Sequence, residues 1–357
     1  MQGLHPNSSM TVPFSINSAM DCLSSTPKPL AKKLEYTQME IEGHDQCEVS
    51  LVINHSRDDS VKNRRNLLHR IRSVATARTG RTTKLTPVKA EPTRSCAAFG
   101  VPIGLIFRNM QLKSRANQLV GFLEQHSVSA KHRAKLIDWM IDVLKVYHQR
   151  EQTLFRAIMI LDQYFSKSHS EIKPEELHLI GCVVMLIASK QEEIQPLSLE
   201  SIVKSIGKGK FTREQVLILE SKILFVTGFQ LNIPTLFEIC KSSSCFFVFD
   251  DGSIDKFFTN SCLLISKMCL MSYDMVNQFT YEEIAAYGMI LSMKLLENLK
   301  AGFIADSFIR KISCLFELPE QNTMEGLRII HFFTIDFQEK MPFVKNLQRY
   351  YSLAHSS

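Results

Sequence analysis

The sequence predicts an all-α protein built of two similar helical domains in tandem, behind a single N-terminal helix and a disordered N-terminal tail. Three observations carry that expectation. From residue 105 onward, apolar residues recur at helical spacing in one segment after another, and only 14 Gly and 12 Pro interrupt the 357-residue chain, which leaves long stretches free of helix breakers. The stretch Met185–Lys190, MLIASK, is echoed by Met289–Lys294, MILSMK, 104 residues later. A period near that length is that of a duplicated domain, not of a solenoid. Residues 1–104, by contrast, are rich in Ser, Thr, Asn and Pro and show no sustained period, the composition of a tail that cannot bury a core.

Within the tail, Val61–Ala77 sets Leu67, Leu68, Ile71 and Val74 among Arg64, Arg65, Arg70 and Arg72, a basic amphipathic segment. Residues 105–128 are expected to form the N-terminal helix. Ser129 is an N-cap for Ala130–Tyr147, where Leu136, Met140, Val143 and Tyr147 share a row. Gln152–Ser166 follows. The centre of the first domain is Leu179–Ile194, opened by Pro174 and uncharged from Leu179 to Ser189, hence buried on every side. It ends in Lys190, Glu192 and Glu193, although carboxylates at a helix C-terminus oppose the dipole. Something other than local helix stability places them there. Leu199–Ile206 and Thr212–Thr227 complete this domain, and Gly228 stops the last helix. Asn232-Ile233-Pro234-Thr235 begins the second set: Thr235–Phe246, Ile254–Met271, Thr280–Glu297, Ile304–Cys314 and Glu320–Gln338. The boundaries are therefore 129–233 and 234–340, with 341–357 as a C-terminal tail.

Charge and cysteine usage narrow the class. Residues 1–61 hold four basic and eight acidic side chains (−4), and residues 62–94 hold ten and one (+9), so of the net +6 only +1 remains for the rest. A body without a broad basic face is not expected to bind nucleic acid. Nine cysteines without a CxxC pair suit free thiols in a reducing compartment. No apolar run reaches 18 residues and no signal-peptide pattern opens the chain, so an intracellular protein with no membrane span is expected. No phosphate-binding glycine loop, HExxH or nucleophile elbow occurs, and neither a catalytic role nor a cofactor nor a metal is expected.

Several motifs then resemble one family, the cyclins, most closely the A- and B-type mitotic members. His132-Arg133-Ala134-Lys135-Leu136-Ile137-Asp138-Trp139 is similar to the RAxLxDW segment that opens the cyclin box, Leu161–Phe165 to its LDRFL segment, and Ala188–Pro196 to its ASKxEEIxPP segment. Tyr273–Val276 and Ile284–Ala286 resemble the second box. The resemblance implies two five-helix boxes and a noncatalytic regulatory subunit that binds and activates a cyclin-dependent serine/threonine protein kinase in cell-cycle control, at G2/M. It further implies that Lys190, Glu193, Ile194, Glu220, Leu224 and Phe229 face the kinase, and that Arg133 and Asp162 form an internal structural pair. Leu136, Trp139 and Asp142 match a substrate-docking patch, which His132, Lys135 and His178 make less apolar than is usual. Arg65, Leu68 and Ile71 fit a degradation motif read by a ubiquitin ligase, Thr26 and Thr86 precede prolines as a proline-directed kinase requires, and nucleus and cytoplasm are the expected compartments. Two rival readings use the same fold: a cyclin-like scaffold without kinase activation, and a transcription-factor-like module, for which the basic face and zinc ribbon are missing.

Overall fold

Side chains that can satisfy free backbone groups mark most helix starts. The computed structural model describes residues 95–96, 101–247, 249, 251–299, 303–318 and 320–351. Arg65, Leu68, Ile71, Thr26, Thr86 and the basic segment 61–77 lie outside the described residues. A two-residue antiparallel pairing of β1 (Ser95–Cys96) with β2 (Val101–Pro102) leads into α1 (Ile103–Ala116). The helix expected over 105–128 is thus shorter: Asn117 turns its amide back onto the Lys113 carbonyl at 2.8 Å, and Gly121 donates its N–H to Asn277 Oδ1 at 2.7 Å. Backbone groups satisfied in this way do not propagate a helix.

Next come α2 (Ala130–Val146), capped by Ser129, and α3 (Glu151–Lys167). A 3₁₀ turn at Pro174–Glu176 opens α4 (Leu177–Glu192). The expected short helix at 199–206 is a π-helical turn, Ser201–Ile206, and α5 (Arg213–Val226) starts at a capping box of Thr212 with Gln215. Thr235 and Glu238 cap α6 (Leu236–Ser244) in the same way. The rest is α7 (Gly252–Met271), α8 (Tyr273–Gln278), α9 (Tyr281–Leu299), α10 (Asp306–Phe316), α11 (Glu320–Ile335), α12 (Phe337–Lys340) and α13 (Asn346–Tyr351). Residues 341–351 are not an outlying tail, because Val344 and Leu347 are buried and α13 packs on α2. The apolar helix α4 is wrapped by α2, α3 and α5, and α9 by α6, α7, α10 and α11. Among the described residues no helix is long and apolar enough to cross a membrane.

Several charged side chains cross the seam between the two groups of helices, beside the packed rings of Phe155 and Phe237. Arg133 reaches the Leu270 carbonyl at 2.8 Å, Lys267 reaches Glu151 at 2.6 Å, and Arg115 reaches Glu282 at 2.8 Å. Arg156 is the busiest of these cations. Its guanidinium donates to Glu192 on α4 (2.7 Å), to the Leu231 and Ile233 carbonyls of the connector (2.8 and 2.6 Å) and to both carboxylate oxygens of Glu238 on α6 (3.0 and 3.1 Å). Five directed donors around one planar group are what arginine, and not lysine, provides.

Candidate functional site

The two carboxylates that end α4 find their partners on α3. Glu192 takes Arg156 Nε and, at 3.0 Å, the Gln152 amide. Glu193 accepts the Arg150 backbone N–H at 2.7 Å, its Nε at 3.0 Å and the Thr153 hydroxyl. Arg150 is the N-cap residue of α3 and has no capping side chain of its own. Glu193 supplies the cap from another helix, and a charge ill-suited to the end of α4 is favourable at the start of α3. Burial works against that charge, but the hydrogen bonds from Thr153 and Arg150 outweigh it and hold the Glu193 carboxyl below its ordinary value. Its carboxylate is therefore committed inside the chain.

With α4 anchored there, Lys190 Nζ meets Glu220 Oε1 of α5 at 2.6 Å, the lysine half exposed and the glutamate nearly buried. Beyond this pair lies a surface that no other described residue covers. Val216, Glu220 and Ile223 point inward, whereas Leu217, Ile218 and Phe225 are exposed and Leu224 half-buried. A solvent-facing helix normally keeps large apolar residues off its outer side; α5 sets Leu217, Ile218 and Phe225 there among Arg213, Glu214, Ser221 and Lys222. A shallow depression on it is lined by Arg213, Glu214, Leu217, Ile218 and Ser221. Ile194, four residues past Lys190, is 96% exposed, and Phe225 is 80% exposed.

Phe229 adds a backbone signature. Gly228 N–H bonds the Phe225 carbonyl at 3.0 Å and Phe229 N–H the Leu224 carbonyl at 2.9 Å, the paired closure that ends many helices. Gly228 has the left-handed φ of 64° this motif wants, but Phe229 also has φ 57°, a conformation that costs a bulky residue about 1–3 kcal/mol. The residue is 67% exposed. Gln191, bonded to the Leu231 carbonyl and to Asn232 Oδ1 at 3.1 Å each, ties this turn to the end of α4. Lys190 and Glu220 thus meet where α4 and α5 face each other, with Ile194 and Phe229 exposed on the segments that leave these two helices, while Glu193 is turned inward onto α3.

The pair Arg133–Asp162 is bidentate and fully buried, with Nε to Oδ1 at 2.7 Å and Nη2 to Oδ2 at 2.6 Å. It joins α2 to α3. The docking-patch residues are not an open groove: Leu136 is fully buried and Trp139 is 7% exposed. A Cβ on Gly181 would lie 2.7 Å from Leu136 and 3.0 Å from the Trp139 ring, so a glycine there lets α4 close down on α2. His178 is wedged edge-on between Trp139 and Phe211, with ring centroids 5.0 and 5.1 Å away, and its Nδ1 has no partner. Burial, reinforced by Lys210 and Lys208, lowers its pKa to about 4. Asp142 is buried beneath α13.

Sequence reasoning missed Arg156, Phe225 and the exposed half of α5. An apolar helix looks the same on paper whether its second side faces protein or water, and Leu217, Ile218 and Phe225 fall away from the side of Val216, Glu220 and Ile223 without saying which of the two they face. Among the described residues, no three His, Cys, Asp or Glu side chains gather as a metal site.

Residues 105–232 match the profile described as Cyclin, N-terminal domain. The chain is 30% identical over 177 residues to a G2/mitotic-specific cyclin-B of Spisula solidissima, across 50% of this chain and 39% of that protein. It is 35% identical over 131 residues to a Cyclin-A3-2 of Oryza sativa subsp. japonica, across 36% of this chain and 33% of that one. It thus spans well under two thirds of these relatives. Among solved structures, a viral cyclin from herpesvirus saimiri overlaps 60% of this chain and 97% of its own at 15% identity and a TM-score of 0.46, too loose a likeness to argue from.

Proposed function

From a chain that carries a cyclin N-terminal domain over residues 105–232 and is similar in sequence to A- and B-type cyclins, we propose a regulatory subunit that binds and activates a cyclin-dependent serine/threonine kinase, acting in the cell cycle at G2/M. One observation carries this reading above the scaffold alternative. A protein with no partner for α5 would gain solubility by making its outer side polar, yet Leu217, Ile218 and Phe225 of α5, Ile194 just past α4 and Phe229 with its left-handed backbone stand exposed. Exposed apolar groups on the same two helices as a charged pair are the make-up of an interface, in which polar contacts set the register and apolar area supplies the affinity. Reorganising Lys190 from Glu220 onto kinase groups costs little, since an ion pair whose lysine is half in solvent is worth about 1 kcal/mol.

On this reading the helices divide into tandem boxes at 129–233 and 234–340, the Thr26 and Thr86 sites and the Arg65/Leu68/Ile71 motif serve phosphorylation and ubiquitin-ligase recognition, and the protein works in nucleus and cytoplasm. The test is co-purification of a kinase from cell extract, followed by histone phosphorylation, with the intact protein, Lys190→Glu and Phe225→Ser. Both variants are expected to keep the helical circular dichroism spectrum and to lose kinase. A folded Phe225→Ser protein that recovers full kinase activity would remove α5 from the interface and leave the scaffold reading.

A further inference from the structure

The acidic side of α2 is covered by this chain's own C-terminus. Asp138 and Asp142 stand four residues apart, one turn of the same helix, where like charges repel. Asp138 accepts three backbone N–H groups, from Lys345 (2.9 Å), Asn346 (3.0 Å) and Leu347 (2.8 Å), and the Asn346 amide donates to its carbonyl at 3.1 Å. This end of the segment is firmly seated, with Val344 and Leu347 buried beside it. The other end is held lightly: Asp142 takes one hydrogen bond from the Tyr350 hydroxyl at 2.7 Å, and Arg349 Nη1 stands 4.0 Å away on a largely exposed side chain. The guanidinium also lies over the Tyr350 ring, 5.2 Å from its centroid.

We propose that α13 is a displaceable self-ligand, anchored at Asp138 and released at Asp142, and that its last turn competes with an external arginine-bearing segment for the Asp142 carboxylate. The contacts grade in the right direction: three backbone donors fix one end while one hydroxyl and a distant cation hold the other. Lifting the last turn leaves, one turn from Trp139, a carboxylate with no other ion-pair partner among the described residues, which is the chemistry that takes a guanidinium. A cation already waits next to Asp142 in Arg349, so the segment imitates the ligand it excludes. The inference concerns regulation of the docking patch and rests on that reading of Leu136, Trp139 and Asp142; it is independent of the kinase contact at α5.

The experiment uses the full chain and a fluorescent peptide carrying one Arg and one Leu two residues apart. Tyr350→Phe with Arg349→Ala is expected to bind the peptide about tenfold more tightly than the unaltered protein, the lower end of what one hydrogen bond to a charged group is worth, and the gain is expected to fade with salt. Adding Asp142→Asn is expected to abolish it. Equal binding by the unaltered and double-variant proteins, binding by neither, or a gain that survives Asp142→Asn would each overturn the proposal. Hydrogen exchange gives a second readout: the amides of 349–351 should exchange faster in Tyr350→Phe, while those of 345–347 stay protected. Kinase co-purification by the same variants, expected unchanged, separates failure here from failure of the kinase reading.

Discussion

Titrating His178 tests the packing of α2 against α4 quantitatively. The imidazole is 2% exposed between Trp139 and Phe211 and burial lowers its pKa from 6.5 to about 4. The unfolded chain therefore takes up a proton near pH 6.5, while the folded chain refuses it until about pH 4. The stability that a neutral His178 contributes is complete above about pH 7 and is lost as the pH falls toward 4. At 1.36 kcal/mol per pH unit the whole displacement is worth about 3 kcal/mol, of which about 2 kcal/mol is gone at about pH 5. The perturbation is His178→Gln, which keeps a hydrogen-bonding side chain but does not titrate. Trp139 is the only tryptophan in the sequence and packs on this ring, so urea unfolding followed by its fluorescence reads the right place. Between about pH 7.5 and 5 the unaltered protein is expected to lose about 2 kcal/mol more than the variant. Parallel losses in both proteins would mean that His178 is protonated in the folded state and that the wedge between the two rings is wrong.

Other expectations can be checked on the same preparations. Phe229→Gly should raise stability by about 1 kcal/mol by relieving the left-handed backbone and still weaken kinase co-purification; a lower melting temperature would argue that the turn is not strained. Glu193→Gln should cost about 1 kcal/mol through the α3 cap. Because the folded carboxyl sits below its ordinary 4.5, the charge contribution is present above about pH 4.5 and lost as acid titrates through the lower folded value, so acid unfolding of the variant should show a flatter limb. Arg133→Met and Asp162→Leu should each cost about 3–5 kcal/mol by stranding a buried charge, and the double variant less than their sum; strict additivity in denaturant titrations would count against the bidentate contact.

How much of this was legible before the structure follows from how local each signal is. Ser129, Thr212 and Thr235 announce helix starts because a cap acts within three residues, and the uncharged run in α4 announces burial because nothing polar has to be placed. The end of α1 was not legible: it depends on Asn277, 156 residues from Gly121. The C-terminal residues read as a tail for a similar reason, since their seat is Asp138, more than 200 residues earlier. At the candidate site, the motif order singled out Lys190 and Glu220, which the fold brings together, but Glu193 is turned inward by Arg150 and Thr153, and only three-dimensional proximity shows why two carboxylates end α4. Exposure of Phe225 was invisible because the same apolar row serves a core or an interface.

Arg156 also bears on how the molecule comes apart. Its donors are shared between α4, the connector and α6, so detaching the second group of helices removes Glu238 and leaves a buried guanidinium with part of its counter-charge gone. Arg133 would lose the Leu270 carbonyl at the same moment, and Glu151 would lose Lys267. A first half folded alone therefore carries a penalty that neither half shows when joined, and partial unfolding is suppressed in favour of a single cooperative event. Fragments cut at the connector should melt far below the intact chain, which makes this seam the thermodynamic spine along which the α5 surface is kept in shape.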